Sequence, residues 1–205
     1  MTFARHLRLW PGLLVLIALT GCSSLKGNLS DGVYSTPSQA YSVAVPDFHD
    51  QETTDGVTDT VEWVTFRSGC CYWSPFGEYQ VQWLPDAAGT GDFSKAAEDL
   101  LHREIGRADK AWVLPANRET GKFKLLAEET LEINGRLAAR RVGEMTIDRA
   151  QAVACFTVVD FGKNLAVGTL RCSVQEDNTP QEYATFREWG LYLGLLDSLQ
   201  ENPAK

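Results

Sequence analysis

The sequence predicts an α+β fold: a mostly antiparallel sheet built from hairpins, with two amphipathic helices packed on it. Three observations point there. Stretches that alternate polar and apolar residues, rich in Val, Thr, Trp and Phe, recur between turn-forming residues. Two of the intervening turns, Asn134-Gly135 and Gly162-Lys163-Asn164, have hairpin chemistry. Two other segments, beginning near Asp92 and Thr179, repeat their apolar residues at helical spacing instead. Strands joined by hairpins form an antiparallel sheet, and a sheet with an apolar face buries it under helices.

Taken in order, Val33-Tyr34-Ser35-Thr36-Pro37 and Tyr41-Ser42-Val43-Ala44-Val45-Pro46 read as two short strands around a turn. Residues 47–59 are acidic and polar and read as a loop. Thr60 to Tyr72 alternates as a strand; Ser74-Pro75-Phe76-Gly77 is a turn with Pro second and Gly fourth; Glu78 to Leu84 returns, with Tyr79, Val81 and Trp83 alternating with polar residues. After a loop from Pro85 to Gly91, Asp92 or Ser94 caps a helix running to about Trp112. Its stripe is Phe93, Ala97, Leu100, Leu101, Ile105, Ala108 and Trp112. Phe123 to Ile133 and Arg136 to Ile147 make a second hairpin around Asn134-Gly135, and Ala154 to Phe161 with Leu165 to Cys172 make a third. Thr179 caps the last helix, Pro180 suits its first turn, and Glu182 completes a capping box. Tyr183, Phe186, Trp189 or Gly190, Leu193, Leu196 and Leu199 mark its buried stripe, and the helix ends before Pro203.

The amino end has another logic. Arg5, His6 and Arg8 form a positive region, an apolar stretch runs from Leu9 to Leu19, and Thr20, Gly21 and Cys22 follow. The stretch is shorter than the roughly 20 apolar residues of a spanning helix, and Pro11 and Gly12 interrupt it. Leu19-Thr20-Gly21-Cys22 resembles the lipobox of bacterial lipoproteins. That resemblance implies cleavage between Gly21 and Cys22 by signal peptidase II and acylation of Cys22. Ser23, where an aspartate would retain the protein in the inner membrane, resembles the outer-membrane-sorted class. The expected organisation is therefore a signal peptide over 1–21, a lipidated cysteine and tether over 22–32, and one globular domain over 33–205. The tether reading rests on the small, polar run from Ser23 to Gly32.

Removal of residues 1–21, which hold two arginines and no acid, changes the formal net charge from −8 to −10. An acidic domain repels phosphate backbones and anionic headgroups, which argues against nucleic acid as a partner. It also predicts that contact with lipid is made through the anchor and not through a face of the domain.

An exported chain meets an oxidising compartment, so Cys70, Cys71, Cys155 and Cys172 suggest disulfides. If the turn of the third hairpin is Lys163-Asn164, Cys155 lies directly opposite Cys172, and a Cys155–Cys172 bridge is expected. Cys70 and Cys71 fall on opposite faces of a strand. They read either as one buried and one partly exposed thiol or as bridges crossed to Cys155 and Cys172. The sharper alternative is a redox or thiophilic-metal site, but no C-x-x-C is present and no His or acid flanks the pair.

Tyr72, Trp73, Phe76 and Tyr79 gather at the tip of the first hairpin and form a candidate contact patch. Asp47, His49, Asp50, Glu52, Asp55 and Asp59 crowd one segment, but their spacing does not match a calcium loop, and they read as a solvated loop. No Gly-x-Ser-x-Gly, phosphate loop, dinucleotide fingerprint or His-Glu-x-x-His occurs. His102 falls within the first helix and reads as structural. No metal or cofactor is called for, and no catalytic residue can be named.

The segments Tyr34-Ser35-Thr36-Pro37 to Tyr41-Ser42-Val43-Ala44-Val45-Pro46 and Asn134-Gly135-Arg136-Leu137-Ala138-Ala139-Arg140 resemble the opening and central hairpin of PsbP-like bacterial domains. The resemblance implies an α-β-α sandwich that binds partners and is mostly not an enzyme, and it carries no functional residue over. The expectation is thus a lipid-anchored envelope protein, facing the periplasm from the outer membrane in a Gram-negative cell. Its role is binding another envelope protein or a small ligand, or supporting assembly. The alternative is a lipid-anchored hydrolase or thiol-redox enzyme whose site has no recognisable motif.

Overall fold

The structure is a computed structural model that describes residues 25–47, 52–68, 77–88, 92–111, 122–147, 150–174 and 177–202. Its strands are β1 (Asn28–Ser30), β2 (Val33–Ser35), β3 (Tyr41–Ala44), β4 (Glu52–Val57), β5 (Glu62–Ser68) and β6 (Gly77–Leu84), then β7 (Lys124–Ile133), β8 (Arg136–Ile147), β9 (Ala150–Phe161), β10 (Asn164–Ser173) and β11 (Gln200–Glu201). The helices are α1 (Phe93–Ala111) and α2 (Arg187–Asp197), the latter preceded by a 3₁₀ turn over Pro180–Thr185.

Seven strands form one antiparallel sheet in the order β4-β5-β6-β10-β9-β8-β7. Strands β1, β2, β3 and β11 form a second, small antiparallel sheet. The α+β expectation therefore holds, with the small sheet as an addition. Alternate residues of the interior strand β9 enter two different cores. Val153, Cys155, Val159 and Phe161 pack toward α2 and the small sheet, while Ala152, Ala154, Phe156 and Val158 pack toward α1. A strand covered on both faces reads as an unbroken apolar run, which is why 152–159 shows no polar alternation.

Each helix is held by apolar burial and by polar ties to its surroundings. On α1, Ala97, Leu100, Leu101 and Ala108 are buried as the periodicity predicts, and the Asp92 carboxylate accepts the Ser94 N–H at 2.9 Å. Arg141 on β8 then joins Glu98 of α1 at 2.6 Å and Glu128 of β7 at 2.9 Å. On the other face, the hydroxyl of Tyr192 donates to Thr157 Oγ1 at 2.8 Å, and Arg140 Nε donates to the same oxygen at 3.2 Å. Arg140, only 5% exposed, lies over the Trp189 ring at 5.2 Å and pairs with Glu129 at 3.4 Å.

The last helix differs from the single run expected. Phe186 is extended (φ −69°, ψ 141°) and separates the 3₁₀ turn from α2. Glu182 does reach back to Thr179, accepting its N–H at 2.8 Å and its hydroxyl at 3.0 Å. The extended residue resets the helical phase, so Tyr192 and Leu195 are buried, and Leu193 is only partly so. After Leu199 the chain adds β11 beside β3, a strand the helical reading of this segment did not include.

The fold also starts earlier than Val33. Asp31 (φ 53°) and Gly32 (φ 73°) form a two-residue turn joining β1 to β2, so residues 28–32, read as tether, belong to the small sheet. The acidic segment 47–59 is likewise not all loop, since Glu52–Val57 is the edge strand β4, paired with β5.

Candidate functional site

Four segments meet at one end of the molecule: the β2–β3 turn, the stretch after β6, the β9–β10 turn and β11. Amide side chains knit them. Asn164 Oδ1 accepts the Asp86 N–H at 3.0 Å, while Asn164 Nδ2 donates to Glu201 Oε1 at 2.8 Å. Asn202 Nδ2 donates to the Gln39 carbonyl at 2.9 Å, and its Oδ1 accepts from the Ser42 hydroxyl at 3.2 Å. Between these segments lies an open groove of about 990 Å³, walled by Gln39, Asp86, Lys163, Asn164 and Glu201 with Trp83 at its floor. Trp83 is fixed from below by stacking on Tyr41 (centroids 5.4 Å apart) and by the edge of Phe161 at 4.9 Å. A second hollow of about 450 Å³ adjoins it, sharing Gln39 and Asn202 and extending to Lys26, Gly27 and Pro37. The walls offer amides, hydroxyls and the ion pair Lys163–Asp86 at 3.6 Å. Such a surface can exchange hydrogen bonds with a polar ligand or an extended peptide.

Beside the second hollow the chain is clasped to the large sheet. Asp55 on β4 accepts hydrogen bonds from the Lys26 N–H at 3.0 Å, the Gly27 N–H at 2.7 Å and the Tyr34 hydroxyl at 2.7 Å. Burial alone would raise its carboxyl, but the three hydrogen bonds outweigh that and hold it below the ordinary carboxylate range. Close approach is possible because residue 27 is glycine: a Cβ there would collide with the Tyr34 ring and the Ser35 carbonyl.

The structure corrects several expectations. Cys155 faces Leu170 and Cys172 faces Val153, two residues away from the expected register, and both thiols are free. The turn is Gly162-Lys163, with Gly162 at φ 79° in the position a type II′ turn reserves for glycine, and not Lys163-Asn164. Asn164 stays in the strand, where its amide closes the groove. Burial pushes both thiols up to about 12, so neither is a ready nucleophile. Tyr79 does not belong to an exposed patch, because it is fully buried in the core on the α2 side. Tyr72, Trp73 and Phe76 lie outside the described residues, as do Gly21, Cys22, His49, Asp50, Cys70 and Cys71. Among the described residues no three His, Cys, Asp or Glu side chains are grouped to hold a metal ion.

Sequence reasoning missed Asp55 as a structural acceptor and missed the polar layer on the α1 face of the large sheet. There Glu78 accepts from Arg67 Nε at 2.7 Å and Arg171 Nη1 at 2.9 Å, and Gln82 donates to Glu104 at 3.3 Å. Glu78 and Gln82 occupy the polar positions of an alternating strand, and this pattern does not distinguish a solvated face from one half covered by a helix carrying its own acid.

The fold and the site define an α+β sandwich, with helices on opposite faces of one sheet and an open polar groove at one end. No known family profile matches the chain, and no curated protein matches it in sequence. Solved structures do resemble it. The Ran-binding protein Mog1p of Saccharomyces cerevisiae aligns over 87% of this chain and 96% of its own at 10% identity, with a TM-score of 0.52. A protein of unknown function from Pseudomonas aeruginosa, PA94, aligns over 80% of this chain and 92% of its own at 16% identity and a TM-score of 0.42. LpqN of Mycobacterium tuberculosis, described as involved in cell envelope biogenesis, aligns over 80% and 91% at 12% identity and a TM-score of 0.40. The likeness to Mog1p is one of fold.

Proposed function

We propose that this chain is an envelope lipoprotein, acylated at Cys22 after cleavage following Gly21, whose folded domain binds a polar partner and performs no covalent chemistry of its own. The partner is another envelope protein or a small ligand, and the anchored domain faces the periplasm if the cell has an outer membrane. The observation that supports the binding role most is the open groove around Gln39, Lys163, Asn164 and Glu201. Its walls carry hydrogen-bonding groups, and Asn164, Glu201 and Asn202 among them are held in place by their neighbours, a surface suited to recognition. The fold is compatible with protein binding, since Mog1p, which shares it, is a Ran-binding protein. That partner is a property of Mog1p and is not carried over. The alternative of a thiol-redox enzyme draws no support from Cys155 and Cys172, whose thiols are sealed in the core.

Two measurements test the proposal. Cys22→Ser is expected to leave the membrane fraction and to lose the lipid mass at its amino end. Unchanged fractionation and an unchanged mass would refute the anchor. For the groove, crosslinking in native membranes is compared between the wild type and Lys163→Glu, which surrounds the groove with acids at 86, 163 and 201. Like charge at the mouth is expected to strip an acidic partner and to hold a basic one more firmly, so the crosslinked profile changes in either case. A crosslinked profile identical to wild type, with the fold intact, would rule out the groove as the contact.

A further inference from the structure

Among the described residues five large hydrophobic side chains are exposed: Leu29 (43%), Val33 (41%), Val57, Leu125 and Leu137. Their placement is uneven. Leu29 and Val33 belong to the β1–β2 hairpin, and Val57 lies on β4, two residues past the Asp55 that clasps Lys26 and Gly27. Leu125 and Leu137 lie on β7 and β8, the opposite edge of the seven-stranded sheet.

Chain length decides which group a membrane could meet. Four Cα-to-Cα steps separate Cys22 from Lys26, whose N–H is bound to Asp55. Fully extended, they reach at most about 14 Å. From β4 to β7 there are six strand spacings, about 28 Å. A lipid on Cys22 therefore keeps the β1–β2 hairpin and the β4 edge close to the bilayer in every orientation of the domain, whereas the β7 edge, six strand spacings away, can stand clear of it. The clasp matters here: without it the free tether would run to Asn28 and beyond, and the domain would tumble more freely.

We propose that the β1–β2 hairpin rests edge-on in the headgroup layer of the bilayer that holds the anchor, with Leu29 and Val33 as its lipid contacts. This rests on the reading of Cys22 as the lipidated residue. The register supports an edge-on pose. Leu29 stands opposite Tyr34 and Val33 opposite Ser30, so the two side chains project from opposite faces of a three-residue ribbon. A ribbon lying flat would wet only one of them. The depth is bounded too. Among the described residues β1 is the outer strand of its sheet, and Asp31 and Lys26 are exposed, so outward-facing backbone groups and charges stop the hairpin at the headgroups. Lys26 offsets one of the carboxylates of Asp31 and Asp55, which leaves this corner with little of the acidic domain's net charge. Lipid contact is thereby extended from the anchor to one small face of the domain, a revision of the expectation drawn from net charge.

The test places a benzophenone photo-crosslinker at position 29, 33 or 125 of the full-length protein in its native membrane and reads the adducts by mass spectrometry. Adducts with phospholipid are expected at 29 and 33, several-fold above position 125. Adducts at 29 and 33 with protein alone would overturn the proposal, as would equal lipid yields at all three positions or no lipid adduct in protein that remains membrane-bound. If the protein is found soluble with an unmodified Cys22, the anchor reading itself fails and this inference falls with it. That outcome is distinguished from the others by the fractionation.

Discussion

Replacing Asp55 by alanine removes the acceptor of three hydrogen bonds at once. Bonds to a charged acceptor contribute about 1.5–3 kcal/mol each, but the Lys26 and Gly27 N–H groups sit near the surface and can rehydrate. Tyr34 cannot: its ring is fully buried, and a hydroxyl left there without its acceptor costs about 1–3 kcal/mol. With part of the backbone contribution added, Asp55→Ala should destabilise by about 2–4 kcal/mol, and Asp55→Asn by about half of that, since the amide oxygen still accepts. The effect should depend on pH. Because the folded carboxyl lies below its ordinary value, its contribution is complete above about pH 5 and fades as pH falls through the folded pKa. Equilibrium urea unfolding at pH 7 and pH 3 measures both parts. The gap between wild type and Asp55→Ala should shrink on acidification, and Tyr34→Phe should couple to Asp55→Ala in a double-mutant cycle. An Asp55→Ala within about 0.5 kcal/mol of wild type at pH 7 would refute the clasp, because that is the range of an uninvolved surface substitution.

Other expectations follow from the packing. Thr157→Val leaves Arg140 Nε and the Tyr192 hydroxyl without their shared acceptor and should cost about 3 kcal/mol in urea unfolding, whereas Thr157→Ser should recover most of it. A Cβ at position 168 on β10 would run into Leu196 and the Tyr192 hydroxyl on α2, so Gly168→Ala should overpack the interface by about 1–3 kcal/mol and lower the melting temperature. Cys155 and Cys172, with thiols pushed up to about 12, should resist alkylation at pH 8 until the protein unfolds. Peptide mapping that finds either one rapidly alkylated in folded protein would contradict the buried register.

The parts of the fold that could be read in advance are those governed by local chemistry. Asn134-Gly135 adopts the two positive φ values its hairpin requires, and the α1 stripe of Ala97, Leu100, Leu101 and Ala108 is the one buried. Where reading went astray, two local solutions were close in energy or a tertiary contact decided. Asp31-Gly32 has the same hairpin chemistry as Asn134-Gly135, but its flanking strands are three residues long and mostly polar, so no alternation marks them as strands. Gly162-Lys163 and Lys163-Asn164 are both plausible turns, and a shift of one turn position moves the facing partner by two residues. That small difference separates Cys155 from Cys172. The groove itself was invisible for another reason. Its walls come from residues near 39, 86, 163 and 201, brought together by the topology alone.

The large sheet is joined along one seam. Strands β4, β5 and β6 form one antiparallel ribbon and β7 to β10 another, and among the described residues only the β6–β10 ladder, from Leu84 opposite Leu165 to Gly77 opposite Cys172, makes them one sheet. A polypeptide delivered from its amino end, by a ribosome or through a secretion channel, presents the first ribbon about 80 residues before its mate arrives. During that interval Val64, Phe66, Val81 and Trp83 have no cover from β10 or α2, and β6 is a bare edge open to any other strand. The hazard of misassembly thus falls on the early half of the chain, and a holdase acting on this protein would find its binding site there.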